Sequence, residues 1–184
     1  MRIVSYGAAC SLDGFIAGAD GSIDWLHFSK DVQDIMGAYW KSVDLMVRGR
    51  KTWDVSVAMQ GGSARKKKAP AKRANEKITT YVFSRTLTDI DQSGVRVVSS
   101  DPGAFVRELK STEGKGICVM GGGELAQSLF EAGVIDEVGL NVHPVLLGAG
   151  VPLFRDARKR IKLDLKESRV LDGGCVYSNY GVRS

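Results

Sequence analysis

Three short segments of this chain set small, basic or hydroxyl residues where a β-prone run gives way to a new element. The most pronounced is Val119-Met120-Gly121-Gly122-Gly123-Glu124-Leu125. Glycines at such a junction let the backbone approach a ligand closely, and the free N–H groups of the following helix face an anion. Glu, Leu and Ala follow Gly123, so the GxGxxG spacing is absent. No Gly-Lys-Ser/Thr follows either, which disfavours an ATPase. The second segment is Gly49-Arg50-Lys51-Thr52, where two cations beside a hydroxyl suit a phosphate monoester. The third is Ser84-Arg85-Thr86, again after a strand-like run. Ligands of open α/β sheets bind outside the carboxyl ends of the strands. Three phosphate-friendly strand ends point to a dinucleotide with an extra phosphate, NADP rather than NAD. Each segment also has a plain reading: tight packing for the glycines, a solvated charge pair for Arg50 and Lys51, a helix cap for Glu124.

Other chemistries find less support. His27 and His143 are the only histidines, which argues against a zinc hydrolase and a Ser-His-Asp triad, and no metal is expected. Cys10, Cys118 and Cys175 have no metal-ligand spacing and sit among apolar or β-prone residues. Buried, reduced thiols suit a cytoplasmic location. The net charge of +5 resides in one place. Residues 62–77 hold seven cations against Glu76 alone, a net of +6, which leaves −1 for the rest. This run lacks aromatics and contains Pro70, so it reads as a solvated, mobile loop rather than a nucleic-acid surface. Its functional alternative is phosphate steering. The apolar runs are too short to span a bilayer, and the first residues read as a strand rather than a signal peptide.

The elements that would position these residues follow from periodicity. Residues 2–10 read as a central strand. Residues 11–27 read as a long glycine-rich loop without regular structure, of the kind that usually has a function. Ser29 is a candidate N-cap for a helix carrying Val32, Ile35, Met36, Tyr39, Trp40 and Val43 at helical spacing. Strands are expected at 43–47, 79–83, 95–98, 116–120 and 137–145, with a helix after Asp101-Pro102 and another after Gly123. Residues 146–154 read as a glycine-rich turn. Residues 162–170 and 175–182 form a terminal hairpin around Asp172-Gly173-Gly174. The 184 residues thus make a single α/β domain. Its sheet is mainly parallel, covered on both faces and closed by an antiparallel edge.

The residues also match a family. The chain resembles the dihydrofolate reductase-like superfamily, and within it the branch that includes the reductase domain of riboflavin biosynthesis. Four motifs in order carry the resemblance. They are residues 11–17 (Ser-Leu-Asp-Gly-Phe-Ile-Ala), Gly49-Arg50-Lys51-Thr52-Trp53, residues 121–125 with 129–137, and the late loop 144–154. The implied fold is a three-layer α/β/α domain, and the implied cofactor is NADPH. By resemblance, Gly49, Arg50, Lys51 and Thr52 bind the ribose phosphate and pyrophosphate region. Ser84 and Arg85 stand on the adenosine side. Gly121, Gly122 and Gly123, with Glu124 beside them, face the pyrophosphate.

The resemblance implies a reductase that transfers hydride to a small heterocycle, of the 5-amino-6-(5-phosphoribosylamino)uracil reductase type. Folate or pterin reduction is an alternative, and so is a nucleotide-binding protein without catalysis. Asp13 is the candidate proton source, although an Asp before Gly14 also suits a turn. Folate reductases carry a carboxylate on the helix after the long loop, where Asp31 and Asp34 fall. The deaminase unit that often accompanies the riboflavin reductase has no counterpart in these residues. A homodimer is expected, with the terminal hairpin and Leu146, Leu147, Val151, Leu153 and Phe154 in its interface. The expected partners are a small-molecule substrate and a second copy, without nucleic acid or membrane.

Overall fold

The structure is a computed structural model that describes residues 1–62, 78–121, 123–154 and 160–183. The expected basic loop, apart from Gly62, lies outside the described residues, as do Gly122 and residues 155–159.

In chain order the elements are β1 (Val4–Ser11), β2 (Phe15–Gly18), α1 (Lys30–Ser42), β3 (Val43–Gly49), α2 (Arg50–Gly62), β4 (Thr79–Phe83) and β5 (Val95–Val98). Then come α3 (Pro102–Ser111), β6 (Gly116–Met120), α4 (Gly123–Glu131), β7 (Glu137–His143), β8 (Gly150–Pro152), β9 (Leu163–Val170) and β10 (Val176–Val182). Eight strands form one sheet in the order β5-β4-β3-β6-β1-β7-β10-β9. The first six run parallel, and β10 and β9 pair antiparallel at the edge. The fold class read from the sequence is the one observed.

Local chemistry explains the helix starts. The Ser29 hydroxyl accepts the Val32 N–H at 3.4 Å to open α1. Asp101 accepts the Ala104 N–H at 2.7 Å to open α3, with Pro102 at its first position. Side chains alternate across the strands, so each strand feeds two layers. Val4, Tyr6, Val47, Ile117, Val119 and Val138 face α3 and α4, where Val106, Leu125 and Leu129 complete the main core. Met46 and Cys118 face the other way and pack with Tyr39 and Trp40 of α1. Ser56 of α2 meets Arg48 on this same face.

Two features depart from the sequence reading. The loop 11–27 is not wholly irregular: Phe15–Gly18 forms β2 and pairs antiparallel with β8, inside the expected glycine-rich turn. Four half-buried residues paired with a partner more than 130 positions away leave no local periodic signal. Leu153, expected in a dimer patch, belongs to the core at 4% exposure, with its N–H donated to the Gly14 carbonyl at 2.8 Å. Leu146 and Phe154 of that patch do remain exposed, as do Leu163 and Leu165 on the edge strand β9. Among the described residues no helix is long and apolar enough to cross a membrane.

One ion pair, a buried lysine with a half-buried aspartate, fixes the register at the amino edge of the sheet. Lys110 of α3 is buried and donates to both carboxylate oxygens of Asp136, at 2.7 and 2.8 Å. Asp136 Oδ2 also accepts the Val4 N–H at 2.8 Å. Removing one partner of a buried pair leaves the other charge uncompensated. Asp136→Ala should therefore lose about 3 kcal/mol, the low end of the range for such pairs. Lys110→Met should lose less, because Asp136 keeps Val4. Denaturant titration of the three proteins checks the order, and equal midpoints for wild type and Asp136→Ala would contradict it.

Candidate functional site

β4, β3 and β6 are neighbours in the sheet, so their carboxyl ends stand side by side. This brings the three segments singled out in the sequence onto one edge. Gly121 has φ +128°, a region open to glycine, and a Cβ there would collide with the Thr52 hydroxyl. Gly49 lies against α4, since a Cβ there would stand 3.8 Å from Leu125. The Gly49–Thr52 segment and the turn into α4 are thus in direct contact. Arg50 donates to Thr86 Oγ1 at 3.2 Å and pairs with Asp54 at 3.2 Å, which ties the β3 end to the β4 end. Ser84 is buried, and its Oγ accepts the N–H groups of Thr86 and Leu87 at 3.2 and 2.9 Å. Its own O–H remains a donor. Lys51, Arg85 and Glu124 are exposed on this edge, and Gly123 begins α4. Of the expected cofactor residues, only Gly122 lies outside the described ones.

Beside this edge, on the α1 face, lies a cavity of about 240 Å³. Its floor is bare backbone. Gly7 of β1 and Gly139 of β7 stand directly opposite each other, and both line the cavity. A Cβ at Gly7 would meet nothing within 4 Å, while one at Gly139 would lie 3.7 Å from the Tyr177 hydroxyl. Phe28, Met36, Tyr39 and Trp40 form the opposite wall. Ser5 Oγ and Tyr39 Oη form a 2.7 Å hydrogen bond at one end, and burial raises the Tyr39 phenol above its ordinary value. A flat surface facing aromatic rings suits a planar ring.

The polar groups at the far end are organised around His143. It is buried, and burial lowers its pKa from the ordinary 6.5, so the ring is neutral. The His27 N–H donates to Nδ1 at 3.3 Å, and the Cys175 thiol lies 3.3 Å from the same atom. With Nδ1 accepting, the ring proton sits on Nε2. Asn141 Nδ2 stands 3.2 Å from Nε2; two donors cannot pair, so hydrogen-bond balance turns the amide to let its oxygen accept that proton. The other end of the amide is buried with no protein partner among the described residues. Asn141 lines the cavity, so that amide end is left for a ligand. The Cys175–His143–Asn141 chain has the order of a thiol nucleophile and its base. The thiol, however, is fully buried, and burial raises its pKa. Cys10 and Cys118 are also buried and free, with Cys118 pushed up to about 11 by burial.

The two carboxylates named as catalytic candidates do not line this cavity. Asp13 Oδ1 accepts the Ser11 hydroxyl at 2.6 Å, and Oδ2 accepts the Leu147 and Gly148 N–H groups at 3.1 and 2.8 Å. The Ser11 hydroxyl first, and then these backbone donors, hold its carboxyl below the ordinary 3.8. In this arrangement Asp13 braces the loop after β1 against the loop after β7. Asp31 Oδ2 accepts the Asp172 N–H at 3.0 Å, which ties α1 to the β9–β10 turn. That bond, followed by one from Ser29, also lowers its pKa. Asn141, His143, Tyr177 and the Gly7–Gly139 pair carry no motif in the sequence. Each sits in an ordinary strand pattern, and only the pairing of β1, β7 and β10 brings them together.

The comparisons agree with this architecture. The model of the RibD C-terminal domain matches residues 2–177. Two uncharacterized Bacillus subtilis (strain 168) proteins are each 33% identical. YyaP aligns over 94% of this chain and 90% of its own length, and YwjB over 88% and 87%. Among solved structures, a provisionally named riboflavin biosynthesis protein from Shewanella sp. PV-4 superposes with a TM-score of 0.81 at 26% identity, covering both chains fully. Acinetobacter baumannii RibD gives a TM-score of 0.68 at 16% identity, with this chain spanning 58% of it, a likeness of fold. The matched span, the sheet order and the convergent strand ends lead to one assignment: this chain belongs to the RibD C-terminal domain family, with its dihydrofolate reductase-like fold.

Proposed function

We propose that this chain is an NADPH-dependent reductase that delivers hydride to a small heterocycle held in the cavity beneath α1. The observation that carries this reading is the convergence of three phosphate-suited strand ends beside a cavity floored by Gly7 and Gly139. When bound, the nicotinamide supplies the hydride. The protein supplies binding and orientation. Arg50 and Lys51 present charged donors to the ribose phosphate. The α4 N-terminus and the Thr52 hydroxyl, pressed against Gly121, suit the pyrophosphate. Ser84 and Arg85 border the adenosine side. In the cavity the ring lies on the glycine backbone, and the free end of the Asn141 amide reads its polar edge.

Family membership favours a pyrimidine of the 5-amino-6-(5-phosphoribosylamino)uracil type as the substrate. Pterin reduction is less well supported, because Asp31 is engaged with Asp172 instead of facing the cavity. Three buried, free thiols fit a reducing compartment such as the cytoplasm.

Two variants test the two halves of the site. Arg50→Ala should weaken NADPH binding about tenfold, roughly 1.4 kcal/mol, and leave NADH binding nearly unchanged. Fluorescence titration reads both, and a wild type that binds the two cofactors equally would refute the role of Arg50. Gly7→Val should fold normally, since its Cβ meets open space. It should keep NADPH affinity and lose turnover of candidate pyrimidines. Undiminished turnover would place the substrate elsewhere.

A further inference from the structure

Arg48 has an environment unlike that of the ion-paired arginines. It sits near the carboxyl end of β3 and is partly buried. Arg2, Arg50, Arg169 and Arg183 each pair with a carboxylate. Arg48 has no such partner among the described residues. Its Nε lies 2.7 Å from Met46 Sδ and its Nη2 3.5 Å from Met120 Sδ. Among the described residues only Nη1 finds an oxygen, Ser56 Oγ at 3.1 Å. Thioethers are weak acceptors, and a guanidinium has five N–H donors. Burial lowers the Arg48 pKa, and no carboxylate acts to raise it. The side chain nevertheless remains a cation. A partly desolvated charge without an anionic partner is costly, and the described residues supply none here.

Its position suggests what completes it. Arg48 immediately precedes Gly49-Arg50-Lys51-Thr52. Met120, which it touches, immediately precedes the Gly121 turn and itself lines the cavity. The guanidinium therefore lies beside the two strand-end turns and behind Met120 of the cavity wall, while Arg48 itself does not line the cavity. We infer that Arg48 is a phosphate-binding residue, taking an anionic oxygen onto N–H donors that thioethers satisfy only weakly at this junction. A planar fork of N–H donors matches phosphate geometry. The phosphate could belong to the dinucleotide or to a phosphorylated substrate. The choice of these two sources rests on the proposed reductase function, whereas the chemistry of the fork does not.

The test uses Arg48→Met, which places a third thioether beside Met46 and Met120, and Arg48→Lys, which keeps the charge and loses the fork. Binding of pyrophosphate, ribose 5-phosphate, NADPH and NADH is measured by calorimetry, and melting temperature is read in anion-free buffer. Arg48→Met should melt at or above the wild-type temperature, because an unpaired charge has been removed. It should also bind at least one phosphate ligand tenfold or more weakly. Arg48→Lys should lose at least threefold for the same ligand, and it decides the matter should the methionine variant fail to fold. Loss confined to NADPH, NADH and pyrophosphate assigns the phosphate to the dinucleotide, and loss confined to ribose 5-phosphate assigns it to the substrate. Unchanged affinities in the folded variants, or a wild type that binds none of the four, would overturn the inference and leave Arg48 as a packing residue. A wild type that binds pyrophosphate or ribose 5-phosphate but neither dinucleotide would instead refute the reductase reading, and Arg48 would still be tested.

Discussion

The site depends on the register of β7 against β1 on one side and β10 on the other, and Asp136 sets that register. Its carboxylate receives the Val4 N–H, its own N–H donates to the Val4 carbonyl, and its carbonyl accepts the Val182 N–H. One residue thus joins the amino ends of β1 and β7 to the end of β10, while Lys110 anchors the group to α3. In a strand, a slip of one residue exchanges the two faces. Such a slip in β1 would turn Tyr6 and Ala8 toward α1 and Gly7 toward the main core. The cavity would fill and the core would lose its largest buried side chain. A polar contact at one edge of the sheet therefore governs the shape of a ligand space farther along the strands.

The order of the strands does the rest. β6 is made late in the chain, yet it lies between β3 and β1. Its insertion places the turn into α4 against Thr52 on one side, while Cys118 and Met120 border the cavity beneath α1. The proposed dinucleotide edge and the proposed substrate cavity consequently share one strand. No lid or second domain is needed to bring them together. The braces around them are likewise local to the edge: Asp13 joins the loops after β1 and β7, and Asp31 joins α1 to the final hairpin turn.

Much of this architecture is legible in the amino-acid sequence, and the reason is physical. Buried parallel strands are apolar runs that end in glycine, serine or charge, so Val43–Gly49, Thr79–Phe83 and Gly116–Met120 stand out, and so do the residues at their ends. The caps at Ser29 and Asp101 are equally plain, because capping is a contact within one turn. What the sequence hides is everything decided at long range. β2 is held by β8, and Leu153 is drawn inward by Gly14. Asp13 reads as free for chemistry because its partners Leu147 and Gly148 lie far along the chain. For Arg48 the sequence shows the charge of a side chain and not that the described residues place no carboxylate beside it. Asn141 and His143 are concealed in a strand pattern whose importance lies in which face it presents.

The paired glycines on the cavity floor have a consequence for how this chain could diversify. In most binding sites a change of ligand requires replacing one side chain by another in a packed wall, with the attendant loss of stability. Here the proposed ligand surface is defined by missing side chains. Any residue added at Gly7 projects into open space, and β-branched residues suit a strand better than glycine does. Substitutions that narrow the range of accepted rings would therefore tend to stiffen the sheet as well. Members of this family that share the architecture but differ at this one pair could handle ligands of different size on the same rigid frame, with selectivity and robustness rising together instead of opposing each other.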